Sequence, residues 1–226
     1  MALAHSTRLL PALAAVGLGL PVAAAAQGTG GSAAPLPQPK TTVALSAGPH
    51  ALLGRATKLS GTVKRRYHGR LIRIQRFDEA AGKWRSEAKA TVSRTGAFTA
   101  RWKPRSLGAL RVRAALQRGR AASVTIASPE VAVRVLKPAK ATYYGPGLYG
   151  NKTACGQELT PGLVGVAHRT LPCGTLVEVA YGGTSIVVPV VDRGPFVDGV
   201  TWDLTEAAAT QLGVAETGTV GTAQSR

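Results

Sequence analysis

The sequence predicts an all-β protein built from two unlike modules. Three observations point there. Apolar and polar residues alternate at period two over much of residues 41–137, turn residues separate these runs, and only one short alanine-rich stretch reads as helix. The charge divides along the same line. Residues 41–140 carry 22 Lys and Arg against 4 acids, a net of +18, whereas residues 141–226 carry 4 against 7, a net of −3. Such asymmetry between halves implies modules with different tasks.

The chain opens on a processing signal. His5 and Arg8 precede an almost wholly apolar stretch at 9–20, and Ala24, Ala25 and Ala26 then lead into Gln27. A basic start, a short apolar core and a small-residue exit describe a secretory signal peptide over residues 1–26. Pro11 interrupts the apolar run, which is short for a membrane-spanning helix, so no transmembrane segment is expected after signal removal. Residues 27–40 are rich in Gly, Ser and Pro; they hold too little apolar surface to fold and read as a flexible linker.

Cys155 and Cys173 are the only cysteines and lie 18 residues apart. Neither sits at the cleavage site to carry a lipid, so a soluble exported protein is expected. In an oxidising compartment such a pair is expected to form a disulfide, with about 3 kcal/mol of stabilisation for a loop of this size. A metal pair would want closer spacing and further His or Cys partners, and only His168 lies near in sequence, so neither metal nor cofactor is expected.

Residues 41–137 read as about seven short strands, enough for a β-sandwich. Leu110, Val112, Ala114 and Leu116 alternate with Arg111, Arg113, Ala115 and Gln117; Phe98, Ala100 and Trp102 alternate with Thr99, Arg101 and Lys103. Val131, Val133 and Val135, and Ile72 and Ile74 beside Arg73 and Gln75, repeat the pattern. One face meets a core and the other, largely arginine, meets water. Turns are expected at Gly48-Pro49, His68-Gly69, Ala81-Gly82, Thr95-Gly96 and Arg118-Gly119. The pattern resembles the immunoglobulin-like repeats of exported bacterial proteins, without the cysteine pair of antibody domains. No cluster of His, Asp, Glu or Ser here suggests chemistry. Tyr67, Trp84 and Trp102 have the surface to stack on sugars, but core positions are expected for the two tryptophans.

From Ala141 arginine nearly vanishes and glycine rises. Strands are expected at Thr175–Ala180 and Ser185–Val191. Thr205 should cap a helix propagated by Ala207, Ala208 and Ala209 and ended by Gly213 in a left-handed conformation. Pro189 removes a ladder donor, which marks an edge or a bulge.

The segments Ala141–Gly145, Ala167–Gly174 (AHRTLPCG), Asp192–Phe196 (DRGPF) and Asp203–Thr205 (DLT) resemble, in order, the blocks of the rare lipoprotein A family. Val191 departs from it, since the family usually has Asn before the aspartate, and the third residue of the last block is Thr rather than Ser. The resemblance implies a six-stranded double-psi β-barrel over residues 138–226; the alternation before it marks the immunoglobulin-like β-sandwich at 41–137. It also implies a lytic transglycosylase, a lyase that opens the MurNAc-GlcNAc bond of peptidoglycan and leaves 1,6-anhydro ends.

By the same resemblance Asp192, His168 and Asp203 are the candidate catalytic residues. Asp192 follows the apolar run Ile186–Val191, where desolvation raises a carboxyl pKa and suits it to donate and recover a proton. The bland alternative is an aspartate that pairs with Arg193 or caps a turn. His168 would orient Asp192 or share its proton, or else be a structural histidine. Asp203 would join the site or hold the turn into the helix. Tyr143 and Tyr144 would offer a sugar platform, and Arg169 and Arg193 would hold sugar hydroxyls or brace loops. The expected partner is the peptidoglycan glycan strand, with anionic wall polymers rather than nucleic acid on the basic module, for a monomer secreted to the bacterial cell wall. The alternative function is an expansin-like barrel that grips wall glycan without cutting it.

Overall fold

The computed structural model describes residues 42–118 and 124–224. The expected signal peptide (1–26) and linker (27–40) lie outside these residues, and the turn expected at Arg118-Gly119 runs out of them.

The N-terminal module is built from β1 (Val43–Ser46), β2 (His50–Leu52), β3 (Thr57–Val63), β4 (Leu71–Asp78), β5 (Lys83–Thr91), β6 (Ala97–Trp102), β7 (Gly108–Arg118), β8 (Val124–Ala127) and the first half of β9 (Val131–Tyr144). Strands β1, β3 and β6 form one sheet; β9, β7, β4 and β5 run in order through another, with β2 paired to β9 and β8 to β7. Both sheets contribute to one core. Leu59, Phe98 and Trp102 from the first meet Ile72, Ile74, Val112, Leu116 and Val133 from the second, all at most 3% exposed. Each such side chain stabilises the fold by roughly 1.5–3 kcal/mol relative to exposure. The alternation seen in the sequence is the alternation of these faces.

Trp102 takes the core position expected of it, and its indole Nε1 donates to Glu87 Oε2 at 2.6 Å. A buried indole N–H without such a partner would be costly. Trp84 does not enter the core. The pairing of β4 with β5 shifts register between Ile74 and Gln75, so Trp84 falls opposite Phe77. That bulge changes the phase of β5 and turns Trp84 to the outer face, where its ring meets Phe77 at 5.2 Å and the Arg113 guanidinium at 4.0 Å.

The second half of β9 continues into a closed barrel with β10 (Val166–Ala167), β11 (Leu176–Tyr181), β12 (Thr184–Asp192), β13 (Trp202–Thr205) and β14 (Gly218–Gln224). Going round, β9 pairs with β14, β14 with β11, β11 with β12, β12 with β10, β10 with β13 and β13 with β9. Six strands close and leave no edge. The β10–β12 and β13–β9 contacts are parallel and the other four antiparallel. Val166, Val179, Val188, Leu204 and Val220 fill the interior beside Ala208, Ala209 and Leu212 of α1 (Glu206–Leu212). Thr205 caps α1 by accepting the Ala208 N–H, and Gly213 ends it at φ 74°, as expected.

The expected boundary between residues 137 and 138 falls inside β9, so a single strand crosses it and no linker separates the modules. Val131–Val135 pair with β7, and Lys137–Ala141 with β14. Leu52 and Leu136 pack so closely against Gly221 that a Cβ there would lie 2.7 Å from Leu52 Cδ2. Glu178 of the barrel accepts Arg134 Nε at 2.9 Å and lies 3.9 Å from His50. Among the described residues no helix is long and apolar enough to cross a membrane.

Cys155 and Cys173 are bridged, with Cα atoms 5.7 Å apart. The bond ties the long β9–β10 connection to the turn before β11. Replacing both cysteines with serine should lower unfolding stability by about 3 kcal/mol. Denaturant unfolding with and without reductant checks this: the parent should fall to the level of the variant only when reduced.

Candidate active site

The site forms where β12 runs out of the barrel wall. Pro189 lies in β12 opposite Leu176. The next residue, Val190, donates its N–H to Thr175 on the β11 side, so by alternation the donor missing at Pro189 faces β10, which is only two residues long. The expected irregularity follows at once: Val166 pairs with Val190 but Ala167 with Asp192, leaving Val191 as an extra residue. Val191 packs against Gly165, where a Cβ would meet its methyl groups at 2.6 Å, so this bulge requires glycine at 165.

The bulge decides which side chain reaches the site. Asp192 falls level with Ala167, Ala167 with Asp203, and Asp203 with Thr142. Three strands thus bring the two aspartates, 11 positions apart in sequence, to either side of one alanine, and β9 adds Thr142 beside Asp203. Asp192 Oδ1 accepts the backbone N–H groups of Ala154 and Arg193, both at 2.8 Å. Ala154 precedes the disulfide cysteine, so the bridge also holds a donor that orients this carboxylate.

Asp203 Oδ1 accepts the Thr142 hydroxyl at 2.6 Å. Burial pushes its carboxyl above the ordinary aspartate range; the Thr142 bond opposes this and the neighbouring Asp192 charge adds to it. Tyr144 lies against the pair. Its hydroxyl is buried without a well-formed hydrogen bond, and burial foremost, then the charges of Asp192 and Asp203, hold it protonated far above the ordinary range. Tyr143 is 41% exposed on the surface beside it.

His168 directly follows β10. Its Nδ1 accepts the N–H groups of Thr170 and Leu171 at 3.2 and 3.1 Å, so the neutral ring must carry its proton on Nε2. The ring meets that of Trp202 at 4.4 Å with a tilt of 46°, and the backbone N–H of His168 donates to the Asp192 carbonyl at 3.2 Å. Burial, then the charges of Arg193 and Arg169, push its pKa below the ordinary value. His168 is therefore set to donate from Nε2, and its link to Asp192 runs through the backbone.

The two arginines are engaged locally. Arg169 donates to the carbonyls of Pro195, Val197 and Val200, clamping the segment after Asp192. Arg193 reaches the carbonyls of His168 and Asp192 and the sulfur of Cys173. They brace loops, one of the two roles expected of them. Phe196 and Val197, on the clamped segment, are 82% and 60% exposed. Phe196 was visible in the DRGPF block, but its exposure was not. Thr142 carried no signal, because only the β9–β13 register places it beside Asp203. Among the described residues no group of three His, Cys, Asp or Glu side chains gathers to hold a metal.

Residues 139–223 match the sequence model of a family described as lytic transglycolase, a double-psi β-barrel family. The chain is 41% identical over 88 residues to a probable endolytic peptidoglycan transglycosylase RlpA of Synechocystis, covering 38% of this chain and 27% of that protein. It is 38% identical over 81 residues to the endolytic peptidoglycan transglycosylase RlpA of Campylobacter jejuni, covering 35% and 30%. The corresponding protein of Vibrio cholerae is 43% identical over 82 residues, covering 35% and 31%. The chain thus spans only about a quarter to a third of the length of these relatives.

Both shifted groups predict a pH response. A histidine whose pKa is depressed on folding resists protonation, so stability should fall as pH drops through the ordinary histidine value of 6.5. Asp203 is raised on folding, so its contribution is complete below the ordinary 3.8 and is lost as pH rises through the higher folded value. NMR titration should place His168 below 6.5 and Asp203 above 3.8; the reverse order for either would show that the site is solvated.

Proposed function

We propose that the barrel, a domain of the lytic transglycolase family, cleaves the MurNAc-GlcNAc bond of peptidoglycan without water, with Asp192 as its acid-base residue. The observation that carries this reading is the row Asp192–Ala167–Asp203–Thr142, which sets two carboxyls on either side of one alanine, with His168, an Nε2 donor, as the next residue along.

The chemistry asks for one proton-handling group. The muramic C6 hydroxyl attacks C1 of its own ring; the new C1–O6 bond forms as the bond to the glucosamine oxygen breaks. A proton must reach the departing oxygen and another must leave the attacking hydroxyl. One carboxyl does both in turn, with no second carboxylate needed to activate water. Asp192 takes this part at the open end of β12. Burial foremost, then the Asp192 charge, raises the Asp203 carboxyl above the ordinary aspartate range, against the lowering effect of the Thr142 bond. His168 donates from Nε2 to a sugar oxygen. Tyr143 and the exposed Phe196 offer apolar surface to pyranose faces.

That exposed apolar rim also favours the second reading, an expansin-like barrel that grips glycan without cutting. Digestion of purified sacculi, read by mass spectrometry for 1,6-anhydro-muramic products, separates the two. The parent should release them, Asp192→Asn should slow release by roughly 10² or more, and His168→Ala should impair it with the fold retained by circular dichroism. Equal rates for Asp192→Asn and the parent would refute the assignment. A parent that sediments with sacculi yet releases nothing would leave the gripping reading.

The same reading makes the protein a monomer exported to the bacterial wall, beginning at Gln27 after signal removal, and makes the immunoglobulin-like module a holder of anionic wall polymers. On the outer face of β4, β5 and β7, Arg113 lies over Trp84 and donates to Gln75 at 2.9 Å, and Arg73 donates to Gln117 at 3.3 Å, neither paired to an acid among the described residues. Retention on cell walls should weaken steeply with salt, since exposed charges are screened over about 8 Å at physiological ionic strength. The double variant Arg73→Gln, Arg113→Gln should be retained less at low salt; unchanged retention would exclude this face.

A further inference from the structure

The continuous β9 leaves an open groove of about 920 Å³ between the two modules. That is the upper range of volumes that enclose a drug-sized ligand. Leu107 and Arg134 line it from the first module, Lys137 from the middle of β9, and His168, Leu171 and Trp202 from the barrel. His168 thus lines this groove while its backbone N–H donates to the Asp192 carbonyl at 3.2 Å, so the groove begins one residue from the candidate site.

We infer that the groove is a second subsite for the glycan strand, and that it recognises the carboxylate carried by a muramic residue. This rests on the function proposed above and adds to it where the neighbouring sugars go. Two observations favour a carboxylate-bearing strand. The barrel half of the chain, residues 141–226, has a net charge of −3, so it offers little to draw in an anionic polymer. The cations at the groove come from β9 instead. Arg134 is fixed by its 2.9 Å bond to Glu178, whereas Lys137 is exposed and takes part in none of the ion pairs among the described residues. Leu107, 54% exposed, and Leu171 supply the apolar surface that a pyranose face covers. Every disaccharide of the strand bears such a carboxylate, either on the lactyl ether of a peptide-stripped residue or on a stem peptide.

The test uses the full chain carrying Asp192→Asn, so that binding is read without cleavage, with and without Lys137→Glu. Three probes separate the sources: peptide-stripped glycan with free lactyl carboxylates, stem-bearing soluble glycan, and an N-acetylglucosamine oligomer with no carboxylate. Lys137→Glu should weaken binding of a carboxylate-bearing probe about fivefold at low salt, as expected for one partly exposed charge, and leave the neutral oligomer unchanged. Loss with peptide-stripped glycan alone assigns the lactyl carboxylate; loss with stem-bearing glycan alone assigns the stem; loss with both shows that either carboxylate is taken. Lys58→Glu, an exposed charge on β3 away from the groove, should change none of them. Equal weakening of the neutral oligomer, or no change with any probe, would overturn the inference. So would an effect of Lys137→Glu seen only on walls that carry phosphate-rich polymers. Release of anhydro products by the unsubstituted chain is measured alongside, because its absence would remove the proposed function independently of the binding result.

Discussion

The site depends on how a two-residue strand closes a barrel. β10 must pair with β12 on one side and β13 on the other, and Val166 and Ala167 are all it has to do so. With so short a strand the ring closes only by absorbing Val191 as a bulge, in the space that Gly165 leaves. That extra residue sets the phase of everything beyond it. Asp192 comes level with Asp203, the Asp192 carbonyl receives the His168 N–H, and the segment after Asp192 leaves the wall within reach of Arg169. A larger residue at 165 would push β12 away and separate the carboxyls without touching either.

Around this closure polar groups are held in place by the backbone more than by one another. Asp192 is oriented by two N–H groups, His168 by two others, and both arginines by carbonyls. Backbone partners are fixed by the fold itself, so the side chains keep their directions at little further conformational cost. The disulfide extends this frame to the β9–β10 connection, whose Ala154 N–H is one of the two holding Asp192. Of the two roles the sequence offered Arg169 and Arg193, sugar contact or loop bracing, the structure shows their forked donors holding loops.

The second organising feature is β9. One strand pairs with β7 at its start and with β14 and β13 at its end, so neither module can turn without breaking ladder bonds of the other. Gly221 against Leu52, and Glu178 between Arg134 and His50, seat the barrel on the first module. A basic module joined in this way does more than tether. It fixes its cations at set positions beside an acidic barrel, which a flexible linker would not.

The sequence by itself determined the local and the periodic. Alternation named the core faces, with Val112, Ala114 and Leu116 buried where they were expected, and Thr205 and Gly213 marked the ends of the helix because capping is decided within a few residues. The block resemblance singled out Asp192, His168 and Asp203 as candidates, and cysteine usage predicted the bridge. Tertiary structure alone decided what depends on the register between strands: the turn of Trp84 to the outer face, Thr142 beside Asp203, and the passage of β9 across the expected boundary. Register obeys no local rule. It is set by which bulge lets a ring of six strands close, and one added residue moves every following side chain to the other face.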